Sequence, residues 1–200
     1  PSLERKLRGG EVLVQAGDSL LGLVLVKSGR LKKYRRYQSR LFLAGVAAPG
    51  ETIGFEEACS GRVHRETLEA VGETIVVIEP LENVEAWLAA LPRGLRSALG
   101  PQDPHLEAYL KRPLELLPVR ARVAATLWFL AHRHGRRDDL GVSVVDLDLT
   151  REEVAHLAGT VYESVIRTLT KFKKEGVLDL KGRVIRILNE DQLARIGQIM

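Results

Sequence analysis

The spacing of apolar residues changes period along these 200 residues, and the change restricts the folds open to the chain. From residue 10 to 79 the apolar stretches are short and punctuated by glycine: "EVLVQ", "LGLVLVKSG", "RLFLAGVAA" and "ETIVVIE" alternate with "AGDS", "SGR" and "APGE". Short runs rich in Val, Leu and Ile, bounded by Gly, Pro, Asp and Ser, predict strands joined by turns. Their regular spacing predicts an all-β sandwich or barrel. The segment "GRLKKYRRYQSR" (29 to 40) carries six basic residues and reads as a solvated strand pair.

From Pro80 the period becomes helical. Leu81, Val84, Leu88, Leu91, Leu95 and Leu99 recur at spacings of three or four, the mark of an apolar helix stripe. Pro92, "GPQDP" (100 to 104) and Pro113 interrupt it, and an interior proline costs a helix about 3 kcal/mol or more. A helix in this region is therefore expected to be short, kinked or begun after Pro104. "VRARVAATLWFLAHRHG" predicts another helix, with Val119, Val123, Leu127 and Leu130 on one side and Gly135 as its stop. His132 and His134, two apart, point to different faces and suit the helix dipole better than a shared metal. So much apolar helix surface predicts association with a second copy.

The last fifty residues read as helix, turn, helix and hairpin. Thr150 and Glu153 have capping-box spacing. Gly159 marks the turn, Thr160 opens the second helix and Gly176 closes it at the C′ position. "VLDLKGRVIRIL" predicts two short strands around "LKGR". The order is that of a winged helix-turn-helix. On the second helix Val165, Leu169 and Phe172 form a buried stripe, while Glu163, Arg167, Lys171 and Lys174 share another face. At the amino end of a recognition helix, a carboxylate accepts from the cytosine amino group and an arginine forks onto guanine. Lysines further along suit phosphate. Two plainer roles stay open: a capping box from Thr160 to Glu163, and a Glu163–Arg167 pair worth about 0.2–0.5 kcal/mol.

Charge permits a nucleic-acid partner without requiring one. The net charge is +4, with 16 basic and 15 acidic residues before Pro118 and 14 and 11 after it. The single cysteine, Cys59, leaves no internal disulfide and no multi-cysteine metal cluster within one chain. A reducing, cytoplasmic setting fits. No apolar run reaches the roughly 20 residues of a membrane span, and the amino terminus does not read as a signal peptide. Walker, nucleophile-elbow and zinc-protease motifs are missing from the sequence, so an enzyme is not expected.

"LTREEVAHLAGTVYESVIRTLTKFKKEGVL" with "LKGRVIRI" resembles the DNA-binding half of the cyclic-AMP receptor protein/FNR family. The amino half resembles that family's β-roll through "AGD" (16 to 18), "SGR" (28 to 30), "APGETIG" (48 to 54) and Arg65. The resemblance implies an α+β chain with a cupin-like β-roll at 1–80, a dimerisation helix region at 81–117 and a winged helix-turn-helix at 118–200. It implies a homodimeric transcription regulator, an activator, acting on double-stranded promoter DNA and RNA polymerase. Carried over by position, Thr150 and Arg151 meet phosphate, Glu163 and Arg167 read bases, and Lys181 and Arg183 lie on the wing and touch backbone phosphate. Tyr162 stands where many members have a first base-reading arginine, and Val161 where a phosphate-binding serine is common. Thr160 and Lys171 complete the set expected to face DNA.

Cyclic-AMP-binding members resemble one another in a glycine–glutamate pair followed by arginine and a hydroxyl residue. Here Gly54 and Arg65 are in place, but Phe55 replaces the ribose-binding glutamate and Glu66 the phosphate-binding hydroxyl. Arg65 is expected to be neutralised by Glu66, Glu56 or Glu57, leaving a degenerate, self-filled pocket. The reading is a regulator working without cyclic AMP and without a cofactor or metal. The alternative is one sensing another small molecule or a redox state through the β-roll. His64, the one histidine of the β-roll, is expected in a surface loop.

Overall fold

The computed structural model describes residues 1–37, 40–60, 62–90 and 117–199. The chain forms two compact units, Pro1–Gly100 and Pro101–Met200. The interrupted region from Leu91 to Leu116, with "GPQDP" and Pro113, lies outside the described residues, as does the Cys59 side chain.

The first unit is an antiparallel sheet in the order β1 (Leu3–Leu7), β6 (Thr67–Pro80), β3 (Gly22–Tyr37) and β4 (Arg40–Ala47). β2 (Val12–Val14) pairs with β6, and β5 (Thr52–Ile53) pairs with β3. Two short helices, α1 (Phe55–Ser60) and α2 (Leu81–Ala90), accompany it among the described residues. Leu7, Val24, Val26, Leu31, Leu68 and Val76 are all but sealed from water and make the core. Alternation places them there: one face of each long strand turns inward and the other stays wet.

Two strand boundaries differ from expectation. β1 was not anticipated, because "LERKL" has no alternation, and only Leu7 of its residues is buried. "SGR" is no turn: β3 runs straight through it, with register shifts against β6 between Val26 and Arg30. Gly29 holds φ +75°, and a Cβ there would collide with Thr74 Oγ1 and the Glu73 carbonyl. The Arg30 amide donates to Thr74 Oγ1 at 3.2 Å, and the hydroxyl returns a bond to the Arg30 carbonyl at 3.1 Å. The glycine thus makes a bulge that bends one long strand over the core.

The basic run is also more than a solvated strand pair. Lys32 is buried, and Lys33 and Arg35 reach Glu66. His64 is no surface residue; it is 5% exposed. Its amide donates to the Asp18 carbonyl and its own carbonyl accepts from Gly17, which zips the two loops together. Burial pushes the ring's pKa below the ordinary histidine value, against the opposing pull of Glu57 and Asp18.

Among the described residues of the second unit the first element is α3 (Val119–His134), whose Val123, Leu127 and Leu130 are buried as the periodicity predicts. His132 stacks on Trp128 within the last turn. Then come β7 (Arg136–Arg137), β8 (Ser143–Val145), α4 (Arg151–Leu157), α5 (Tyr162–Lys174), β9 (Leu178–Lys181), β10 (Val184–Ile187) and α6 (Glu190–Ile196). The sheet order is β7-β8-β10-β9, antiparallel throughout. α3 packs along α6 and over β8, while α5 packs on α4 and β9. No helix among the described residues is long and apolar enough to cross a membrane.

Gly29→Ala is expected to lower stability by about 1–3 kcal/mol, since strained backbone and a steric clash add. Urea unfolding followed by circular dichroism measures it. For His64 the neutral ring is the form that folding favours. The unfolded chain therefore takes up the proton first, and stability is whole above about pH 6.5 and declines as pH falls below it. Urea midpoints at about pH 5.5 and about pH 7.5 should differ more in the unmodified chain than in His64→Gln.

Candidate nucleic-acid interface

The interface is built around a tight turn between α4 and α5. Thr150 caps α4: its hydroxyl accepts from the Glu153 amide at 3.1 Å, and the Glu153 carboxylate accepts from the Thr150 amide at 2.8 Å. The helix ends at Ala158, and Gly159 takes φ +60°. The Thr160 amide then donates back to the Ala155 carbonyl at 2.9 Å. From α3, Arg122 Nη1 donates to the Gly159 carbonyl at 2.6 Å and props the turn.

That turn decides the role of Glu163. α5 starts at Tyr162, its N-cap is Val161, and no side chain caps it. Thr160 therefore does not open the helix, and its amide, bound to Ala155, is not available to Glu163. The capping-box reading fails for this pair. The ion-pair reading fails too: Arg167 turns to Ser164 Oγ at 3.4 Å, and no Glu163–Arg167 bridge forms. Glu163, Arg167, Lys171 and Lys174 stand exposed on one side, with Val165, Leu169 and Phe172 fully buried on the other.

The far end of α5 is anchored. Arg120 lies 4.9 Å over the Phe172 ring and forks onto Glu175 at 3.1 and 2.6 Å. Lys173 pairs with Asp179 of β9 at 2.9 Å. The Arg120 guanidinium holds the Glu175 carboxyl below its usual range, and Lys173 does the same for Asp179. Arg186 forks onto Asp138, lowering that carboxyl and binding β10 to the turn after β7.

The wing is a two-residue turn, with Lys181 paired to Val184 and Gly182 at φ +60°. That glycine placement suits a tight hairpin. Arg151 Nη2 donates to the Gly182 carbonyl at 2.7 Å, so the first helix holds the wing. Its Nη1 is buried without a hydrogen-bond partner among the described residues. Burial lowers the pKa of Arg151, against an opposing pull from Tyr162. Arg183 pairs with Asp148 at 2.7 Å, while Lys181 is exposed. The helix-turn-helix thus gathers Thr150, Arg151, Thr160, Val161, Tyr162, Glu163, Arg167 and Lys171, with Lys181 and Arg183 on the attached wing. Sequence reasoning missed Arg122 and Asp148. Their partners lie 37 and 35 residues away, where no local pattern signals them.

The expected effector segment sits in the first unit. Gly54, at φ +99°, precedes Phe55 at the start of α1. Arg65 reaches Glu56 at 3.9 Å in an exposed pair. Glu66 instead pairs with Arg35 at 2.9 Å and Lys33 at 3.8 Å, its side chain only 9% exposed. Of the three carboxylates proposed to neutralise Arg65, Glu56 is the one seen beside it.

A capped helix, a tight turn, a second helix with polar groups outward and a hairpin wing define a DNA-binding unit of the helix-turn-helix class. Residues 121–196 match the family model described as Crp-like helix-turn-helix domain, and residues 4–90 match the one described as Cyclic nucleotide-binding domain. The chain is 31% identical over 210 residues to the fumarate and nitrate reduction regulatory protein of Escherichia coli, covering 98% of this chain and 79% of that one. The corresponding protein of Klebsiella oxytoca is 30% identical with the same coverage. Among solved structures, FixK2 from Bradyrhizobium japonicum superposes with a TM-score of 0.78 at 22% identity, covering 98% of this chain and 97% of that one. A CRP-family transcriptional regulator from Thermus thermophilus gives 0.74 at 26% identity, covering 97% and 96%. The chain belongs to the cyclic-AMP receptor protein/FNR family of transcription regulators.

Thr150→Ala should cost about 1 kcal/mol by opening the capping box, and Thr150→Ser should restore most of it. Thermal unfolding of the two variants checks this.

Proposed function

We propose that the chain works as a homodimeric activator, binding an inverted-repeat promoter site as a sequence-specific reader and meeting RNA polymerase there. The observation that carries this reading is the exposure of Glu163 and Arg167 without a mutual ion pair. Capping and mutual pairing, the two structural uses open to them, are both unfilled, and they stand one turn apart on the exposed side of α5. A carboxylate for a cytosine amino group and a guanidinium for guanine O6 and N7 suit one G·C pair and its neighbour. Lys171 and Lys181 suit backbone phosphate, which gives affinity without sequence information.

Regulation without cyclic AMP is part of the proposal. Phe55 offers no acceptor for a ribose hydroxyl, and Glu66 brings a negative charge where a nucleotide phosphate would sit. Arg35 and Lys33 neutralise that carboxylate from inside the chain.

Selection of bound duplexes from a random pool is expected to return an inverted repeat with half-site centres about 34 Å apart. Arg167→Ala should relax the preference at one G·C position. Lys181→Ala should weaken all sequences alike and make the salt slope shallower by about one. Cyclic AMP and cyclic GMP should leave the melting temperature unmoved. Recovery of no preferred sequence would refute base reading by α5.

A further inference from the structure

Five large hydrophobic side chains stand exposed among the described residues of the second unit, and three of them fall between residues 161 and 166: Val161 at 60%, Tyr162 at 50% and Ile166 at 36%. A scattered exposed hydrophobe needs no explanation, but a cluster on a functional face does. The core does not need these three, because Val165, Leu169 and Phe172 already fill the inward side of α5. Tyr162 and Ile166 are four residues apart, so they lie one above the other on the helix, about 6 Å apart along its axis. Glu163 and Arg167 form the parallel strip next to them.

We infer that Tyr162 and Ile166, with Val161 at the helix entry, form an apolar strip that reads thymine methyl groups. Thymine is the one base that presents an apolar group in the major groove, at its C5 methyl. A strip about 6 Å long covers close to two base-pair steps of roughly 3.4 Å. The favoured half-site then carries T·A pairs directly beside the G·C pair that Arg167 reads. The departure at Tyr162, where an arginine would fork onto a second guanine, becomes an exchange of one base preference for another. The charged neighbours choose the occupant. A protein partner would have to cover Glu163, Arg167 and Lys171 with the strip, whereas duplex DNA accommodates all of them at once.

This inference rests on α5 being the base-reading helix, and the test separates the two claims. The 200-residue chain first selects its preferred duplex from a random pool. Each thymine of the selected half-site is then replaced singly by deoxyuridine, which removes only the methyl group and leaves every hydrogen-bonding edge intact. Binding is expected to weaken about four-fold for each methyl that the strip covers, at one or two positions next to the G·C pair, and hardly at all elsewhere. In Ile166→Ser and Tyr162→Ala the ratio of thymine to deoxyuridine affinity should fall toward one at those positions. A selected site with no thymine beside the G·C pair, or one where deoxyuridine costs nothing at any position, overturns the methyl-reading strip while base reading by α5 survives. If no sequence is selected at all, both claims fall together. The deoxyuridine series uses the unmodified protein, so it stands whether or not either variant folds.

Discussion

The hydrogen bond from the Thr160 amide to the Ala155 carbonyl sets where α5 begins, and with it the surroundings of Glu163. It closes the turn between α4 and α5 with Gly159 in the left-handed region, where a side chain would be strained. It also uses the one donor to which Glu163 would return in a capping box. α5 therefore begins at a valine with no side-chain cap, and its first-turn carboxylate faces water. An uncapped helix start in a stable domain needs support from elsewhere. Here it comes from Arg122 on the turn carbonyl, from three buried side chains along α5, and from Arg120 clamping the far end. The face that carries Glu163, Arg167 and Lys171 stays exposed while the rest of α5 is held by other means.

The wing follows the same logic with the opposite result. Two of the cations expected at phosphate are engaged inside the protein: Arg151 holds the Gly182 carbonyl and Arg183 holds Asp148. An exposed ion pair such as Arg183–Asp148 contributes little to stability, about 0–1 kcal/mol, so its main effect is on geometry. The bond from Arg151 is different, because the guanidinium is half-sunk and its partner is a main-chain carbonyl at the tip of the turn. It ties the capped start of α4 to the tip of the wing. Lys181, with its side chain in water, is left as the wing's freely available charge.

Much of this was legible from residue spacing alone. The stripe of Val165, Leu169 and Phe172, the capping box at Thr150, the glycines at 159 and 176 and the wing hairpin all sit where local rules place them. Each depends on neighbours within a few positions. What escaped depends on distance. "LERKL" becomes a strand because β6 offers an open edge, and His64 is buried because it zips to Asp18, 46 residues earlier in the chain. "SGR" looks like a turn because glycine in the left-handed region usually makes one. Here the same geometry makes a bulge, as the strand keeps its partner on both sides. Thr160 and Glu163 had the right spacing for a cap and the wrong starting point, since tertiary contacts moved the helix start forward.

The first unit shows the same competition between local pattern and distant partner, at Glu66. Sequence reasoning places this carboxylate beside Arg65, its neighbour in the chain, but both lie in the bend just before β6 and take different partners. Glu66 turns to Arg35 and Lys33 on β3, and Arg65 turns to Glu56. A carboxylate that is 9% exposed would be costly alone; two cations within 4 Å offset that cost. The basic run on β3, unremarkable as a charge pattern, thereby acquires a structural task. An anionic ligand brought to this place would have to compete with a carboxylate already covalently part of the chain, present at high effective concentration and released by no dilution. The charge of Glu66 is thus met from within the β domain, by Lys33 and Arg35.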